Sequence, residues 1–163
     1  MYLVGVISDN KEIANVFKKE FDKSRAEIIN LDLKNIENFK NVKFNLVLIS
    51  NLEKYKKNST FKKIVSNSNI AVVNTDNKKN LEILENLKGT VITYGFNQKA
   101  TITASSVEDS NISICVQRVI ENVNGEKIEP IEYVENMEDI KNIEISDVIG
   151  VKTIENLLTK KKN

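Results

Sequence analysis

Three short polar clusters close apolar runs, and their side chains are of types that can do chemistry. The first run ends at Ser8-Asp9-Asn10, the second at Asn74-Thr75-Asp76-Asn77 and the third at Tyr94-Gly95-Phe96-Asn97. Ligands of open parallel sheets gather at the carboxyl ends of strands. Ser8, Asn74, Asp76, Asn77, Tyr94 and Asn97 are therefore the candidate ligand-binding residues. Their amides and hydroxyls offer hydrogen bonds to a polar ligand. The same residue types cap helices and make turns, which accounts for Asn10, Asp76 and Asn77 without any ligand. The chain has no histidine. Ser-His-Asp catalysis, Cys-His catalysis and histidine-ligated metals are excluded by that fact alone. An active site would have to use Asp, Glu, Lys, Tyr or backbone groups, with Asp9, Asp76, Tyr94 and Arg118 as its players.

A second group lies further on. Asn124-Gly125 predicts a two-residue hairpin turn, because both residues tolerate positive φ. Strand pairing across that turn sets Gln117 opposite Glu132 and Arg118 diagonal to Glu129. Arginine makes a planar, bidentate contact that lysine cannot. The plainer expectation is a cross-strand salt bridge. The sharper one is a partner-binding surface made of Gln117, Arg118, Glu129 and Glu132.

Composition bounds what these residues can belong to. The chain has 163 residues, 40% hydrophobic and 29% charged, which suits one globular domain spanning 1–163. No apolar run approaches the ~20 residues of a membrane span. The N-terminal run leads into Asp9 with no basic region before it and reads as a strand, not a signal peptide. Cys115 is the only cysteine, so no internal disulfide forms and a buried structural thiol is expected. A cytoplasmic location fits these features. Net charge is +1 but uneven: residues 1–100 hold 17 Lys/Arg against 11 Asp/Glu, and the rest hold 7 against 12. The densest basic stretch is Lys54, Lys56, Lys57, Lys62 and Lys63. One tyrosine, Tyr55, accompanies it and no arginine does, so two solvated surfaces are expected and nucleic acid is not.

The elements that must position the polar clusters alternate through the first half. Strands are expected at Tyr2–Ser8, Ala26–Leu31, Phe44–Ser50, Ile70–Asn74 and Thr90–Tyr94. Helices are expected at Lys11–Phe21, Lys34–Asn41, Lys54–Ser66 and Asn80–Leu87. Helix-length links between buried strands imply parallel pairing, and the first strand reads as central. Ala100–Val107, Ile112–Val123 and Lys127–Val134 then follow at short spacing as a three-stranded antiparallel meander. Pro130 assigns its last strand to an edge. A closing helix runs over about 147–160, capped by Ser146 or Asp147 and ended by Lys160-Lys161-Lys162. The predicted fold is α/β: a parallel, Rossmann-like sheet over 1–96, an antiparallel extension over 100–134 and a C-terminal helix, with one mixed sheet favoured over a split near Asn97.

Residues 70–97 resemble one family. The run Ala71-Val72-Val73-Asn74-Thr75-Asp76-Asn77, a helix, and then Val91-Ile92-Thr93-Tyr94-Gly95 is similar to the end of the central ATP-binding domain of the Mur ligases and their folylpolyglutamate-synthetase relatives. There a strand ends in an Asn-x-Asp-Asp type motif, the next ends in an aromatic-Gly pair, and an antiparallel segment follows. The resemblance implies that Asn74 contributes to an adenine pocket; Asp76 matches the first aspartate and Asn77 replaces the second. It fails at the phosphate loop. Mur ligases place a glycine-rich loop with Lys-Ser/Thr after the first strand, and here that place reads Ser8-Asp9-Asn10-Lys11-Glu12. Glycine is missing, Asp9 repels phosphate, and Glu12 stands where a Mg²⁺-binding hydroxyl belongs. The flanking substrate-binding and C-terminal domains are missing as well. The expectation is a degenerate, non-catalytic Mur-ligase-like module with an adaptor or regulatory role and an unidentified protein partner. It needs no cofactor. The alternative is a protein binding a small ligand weakly at its strand ends, an adenine nucleotide being one candidate.

Overall fold

The computed structural model describes residues 1–159 other than 22, 24 and 86. The expected Lys160-Lys161-Lys162 helix end lies outside the described residues. Five strands form the parallel part: β1 (Tyr2–Ile7), β2 (Ala26–Asn30), β3 (Leu46–Ile49), β4 (Ile70–Asn74) and β5 (Thr90–Tyr94). They are joined by α1 (Glu12–Glu20), α2 (Ser59–Asn67), α3 (Lys78–Leu84) and short 3-10 turns at Ile36–Phe39 and Glu53–Tyr55. β6 (Ile102–Val107), β7 (Asn111–Val116) and β10 (Ile131–Asn136) extend the same sheet. The eight strands run in the order β10-β7-β6-β5-β4-β3-β1-β2. β1 is thus one strand in from an edge, not central as the sequence suggests. Its apolar run records burial on both faces, which any interior strand shares.

The parallel part has the doubly wound order 2-1-3-4-5, in which the connections reverse between β1 and β3. That reversal opens a crevice at the carboxyl ends of those two strands. Each sheet face buries its own core. Val4, Val6, Leu46, Leu48, Val72 and Ile92 point to the α1 side, and Val47, Ile49, Ala71 and Val73 point to the α2 side.

β6 pairs with β5 only through Tyr94 and Ile102, so it starts level with the end of β5 and carries the sheet past it. β7 is antiparallel to both of its neighbours, β6 and β10. The Asn124-Gly125 turn is a hairpin, but a separate one: β8 (Ile120–Glu121) and β9 (Lys127–Ile128) form their own two-stranded ladder. The expected register across it is corrected accordingly. Glu132 pairs with Cys115, not Gln117, and Ile131 pairs with Val116. The cause is that the chain leaves the sheet at Gln117, whose Nε2 donates to the carbonyls of Ala100 at 2.7 Å and Gln98 at 3.2 Å. The freed hairpin docks on the end of the last helix, where Val123 N–H donates to Leu157 C=O at 3.1 Å.

That helix, α4 (Ile145–Leu158), has eleven of its fourteen residues buried, since it lies across the sheet beside α1 with the hairpin at its end. It begins before the expected capping pair. Glu144 is the N-cap, and Ser146 and Asp147 lie inside the first turn, buried. Lys152 is 6% exposed and sits among Glu155 at 3.2 Å, Glu20 at 3.5 Å and Glu135 at 3.7 Å. Burial alone would lower its pKa; the three carboxylates outweigh burial and hold it above the ordinary lysine value. No helix among the described residues is long and apolar enough to cross a membrane.

Candidate functional site

A cavity of about 390 Å³ opens at the carboxyl ends of β1, β3 and β4, at the reversal of strand order. Ser8, Ser50, Asn74 and Asp76 line it from the strand ends, with Glu144, Ser146 and Asp147 from the start of α4. Asn10, Asn51 and Asn77 complete a rim that is almost wholly polar. Among the described residues, four carboxylates border it, Asp9, Asp76, Glu144 and Asp147, and no lysine or arginine does.

At its base is a buried polar network that the strand ends and α4 build together. Asp147 is 5% exposed. Its Oδ2 accepts from Ser50 Oγ–H at 2.9 Å, and its Oδ1 accepts from Tyr94 O–H at 2.9 Å and from Asn74 Nδ2 at 3.3 Å. Asn74 Oδ1 accepts from Asp76 N–H at 3.0 Å. Beneath, Asn80 Nδ2 donates to the carbonyls of Ser50 at 2.9 Å and Asn74 at 2.7 Å, tying the ends of β3 and β4 together. Burial pushes the Asp147 carboxyl up, against the pull of the bonds from Ser50, Tyr94 and Asn74; the charge of Asp76 adds to the rise. Burial likewise raises the Tyr94 phenol, and the neighbouring Asp147 raises it further.

The six candidate ligand residues separate in space. Ser8, Asn74, Asp76 and Asn77 line the cavity. Tyr94 does not: it is wholly buried, turned into the core against α4. Asn97 is spent on the turn after β5, donating to Thr75 Oγ1 at 2.7 Å and Asp76 Oδ1 at 3.1 Å. Asp76 serves the same turn, accepting from the N–H groups of Phe96 at 2.7 Å and Asn97 at 3.0 Å. Gly95 permits this closure. Its φ is +145°, and a Cβ there would stand 2.5 Å from Asp76 Oδ1. Asn77 Oδ1 accepts from Lys79 N–H at 3.1 Å and caps α3. Sequence reasoning missed Ser50 and Glu144. It noticed Ser146 and Asp147 only as caps. The available signal was a lone aspartate beside apolar residues at a helix start, which caps produce far more often than buried networks do.

The partner-surface residues do not form one cluster. Arg118 is exposed and, among the described residues, makes no ion pair with Glu129 or Glu132. Glu132 hydrogen-bonds Ser105 across the sheet instead. Cys115 is half-buried on that sheet, short of the full burial its context suggests.

Among the described residues, no group of three or more His, Cys, Asp or Glu side chains is placed to share a metal ion. Compared with known proteins, the chain matches no family model and no curated relative.

Proposed function

We propose that the chain is a non-catalytic, Mur-ligase-like module that acts as an adaptor or regulatory partner and does not process ATP. One observation carries the reading. The loop after β1, where the family cradles phosphate, has two of its N–H groups, those of Asn10 and Glu12, taken by the chain's own side chains. Ser8 Oγ accepts from Asn10 N–H at 3.0 Å, and Asn10 Oδ1 accepts from Glu12 N–H at 3.0 Å. Asn10 Nδ2 is held in turn by Asn142 C=O at 2.9 Å. A phosphate would have to break those bonds in a loop with no glycine to reshape it.

Charge argues the same way. Among the described residues, the cavity has four carboxylates on its border and no cation, and the nearby Lys54 pairs with Asp9 at 3.4 Å. The base end is no better provided. Both polar atoms of the Asn74 amide are used inside the fold, and the Tyr94 ring has no free face for an adenine. Purified protein is therefore expected to release phosphate from ATP no faster than buffer does. Turnover above that control, abolished by Lys11→Ala, overturns the reading.

The open cavity itself favours a second reading, a site for a small polar molecule without phosphate. Ser8, Asp76 and Asn77 would face it with hydroxyl, carboxylate and amide groups, which suits a ligand bearing hydroxyls or an ammonium.

A further inference from the structure

The large sheet ends in a free edge. β10 ends the strand order, and no strand among the described residues pairs with its outer side. The phase of its ladder is fixed at one end, where Met137 N–H donates to Ser110 C=O at 2.7 Å. In an antiparallel pair, N–H and C=O of alternate residues point the same way. Residues 131, 133 and 135 therefore turn their backbone to β7, and Glu132, Val134 and Asn136 turn theirs to the open edge. Val134, at the middle of that edge, is 66% exposed.

Two further features lie along the same edge. A cavity of about 290 Å³ opens beside the start of β10, lined by Ile131 and Tyr133 from β10 and Ile120 and Ile128 from the hairpin, with Glu126 and Lys127 also on its border. A strand laid along β10 would direct alternate side chains to that face, and one of them could fill the cavity. The edge is also strongly acidic. Residues 128–140 carry Glu129, Glu132, Glu135, Glu138 and Asp139 with no lysine or arginine. Glu135 is turned inward to Lys152, while Glu129, Glu132, Glu138 and Asp139 are exposed. A second copy laid antiparallel on β10 would bring two such stretches together, and facing like charges destabilise a strand pair.

We propose that β10 binds an extended, basic segment of a partner protein by strand addition, with one apolar side chain of that segment in the Ile120–Tyr133 cavity. The inference rests on the adaptor reading and supplies its partner class. The probe is a ten-residue peptide of alternating lysine and valine, titrated into the full chain and followed by amide NMR and fluorescence anisotropy. The amides of Glu132, Val134 and Asn136 should shift and gain protection from exchange. Replacing the lysines of the probe by glutamate, or its valines by serine, should each weaken binding at least tenfold.

Val134→Pro should weaken it at least tenfold as well, because it removes an N–H that faces the open edge and leaves the β7 ladder intact. Glu132→Lys/Glu138→Lys, both at the surface, should do the same if the proline variant does not fold. Unchanged affinity in the folded variants overturns the proposal. So does equal binding of the serine probe, or concentration-dependent dimerisation through β10 without any peptide. An ATP assay on the same sample keeps the two readings apart. Turnover refutes the non-catalytic reading whatever the peptide does, whereas a silent edge refutes only this partner.

Discussion

Gly150→Ala is expected to lower the unfolding midpoint of this protein, although the same change inside an ordinary helix raises stability by about 1 kcal/mol. The sign reverses because of what faces the glycine. A Cβ on residue 150 would stand 2.6 Å from Tyr94 Cζ and 2.9 Å from its Cε2 and hydroxyl oxygen. The ring has nowhere to go. It is wholly buried, and its hydroxyl is tied to Asp147 at 2.9 Å. Overpacking of this kind costs about 1–3 kcal/mol and outweighs the helix gain, so a net loss of about 1–2 kcal/mol is expected. For a domain of this size each kcal/mol moves the midpoint by about 2–4 °C. Gly150→Val should lose more. Scanning calorimetry checks the cause as well as the size: in a Tyr94→Ala background, Gly150→Ala should stabilise. A loss of equal size in both backgrounds would mean that the contact is not the reason.

Asp147 gives the second large effect, and its direction depends on the substituent. Asp147→Ala strips the acceptor from Ser50 and Tyr94 and one of the two acceptors from Asn74. An unsatisfied buried donor costs about 1–3 kcal/mol. Ser50 and Asn74 border the cavity and can turn to water, but Tyr94 cannot, so a total loss of about 3 kcal/mol is expected. Asp147→Asn keeps an acceptor for Tyr94 and Asn74 and can donate to Ser50 once that hydroxyl turns. It also removes a buried charge.

The pH dependence follows from the raised carboxyl pKa, for which burial is the first cause. Below the ordinary aspartate value of about 4, the group is protonated in folded and unfolded chains alike, and its contribution is fully present. As pH rises from there through the folded value, the unfolded chain ionises first and that contribution is lost. The stability of Asp147→Asn relative to the natural chain should therefore increase with pH across that window and then level off. Denaturant melts from pH 3 to 8 read this directly. A difference that does not vary with pH would mean that the Asp147 carboxyl is not raised.

The parallel sheet was legible because its strands are short apolar runs bounded by polar residues. β4 and β5 occupy the expected residues, Ile70–Asn74 and Thr90–Tyr94. Strand position was not legible, since Tyr2–Ile7 would look the same at any interior place in the order. The hairpin turn at Asn124-Gly125 could be read from two residues; its register against Glu132 could not. Local turn chemistry fixes which residues pair beside the turn, and it says nothing of a break at Gln117 set by contacts with Gln98 and Ala100. Of the residues at the polar strand ends, Ser8, Asn74, Asp76 and Asn77 border the cavity. The direction of Tyr94 was hidden, being decided by a glycine 56 positions away on α4. Asp147 was hidden for the same reason: its partners Ser50, Asn74 and Tyr94 are remote in sequence.

On the proposed reading, the loop after β1 does not receive phosphate. Titration calorimetry with adenosine, AMP and ATP, each with and without Mg²⁺, tests it most directly. Any heat should be small and the same for all three, because the N–H groups of Asn10 and Glu12 are already bonded and the cavity is bordered by carboxylates alone among charged groups. Charge-assisted phosphate contacts contribute about 1.5–3 kcal/mol each where they exist, so a working loop would show itself as at least a tenfold preference for ATP. Adenosine and ATP binding equally weakly, or not at all, with no help from Mg²⁺, is the predicted result. ATP binding tenfold or more tightly than adenosine, in a manner that requires Mg²⁺, would contradict it.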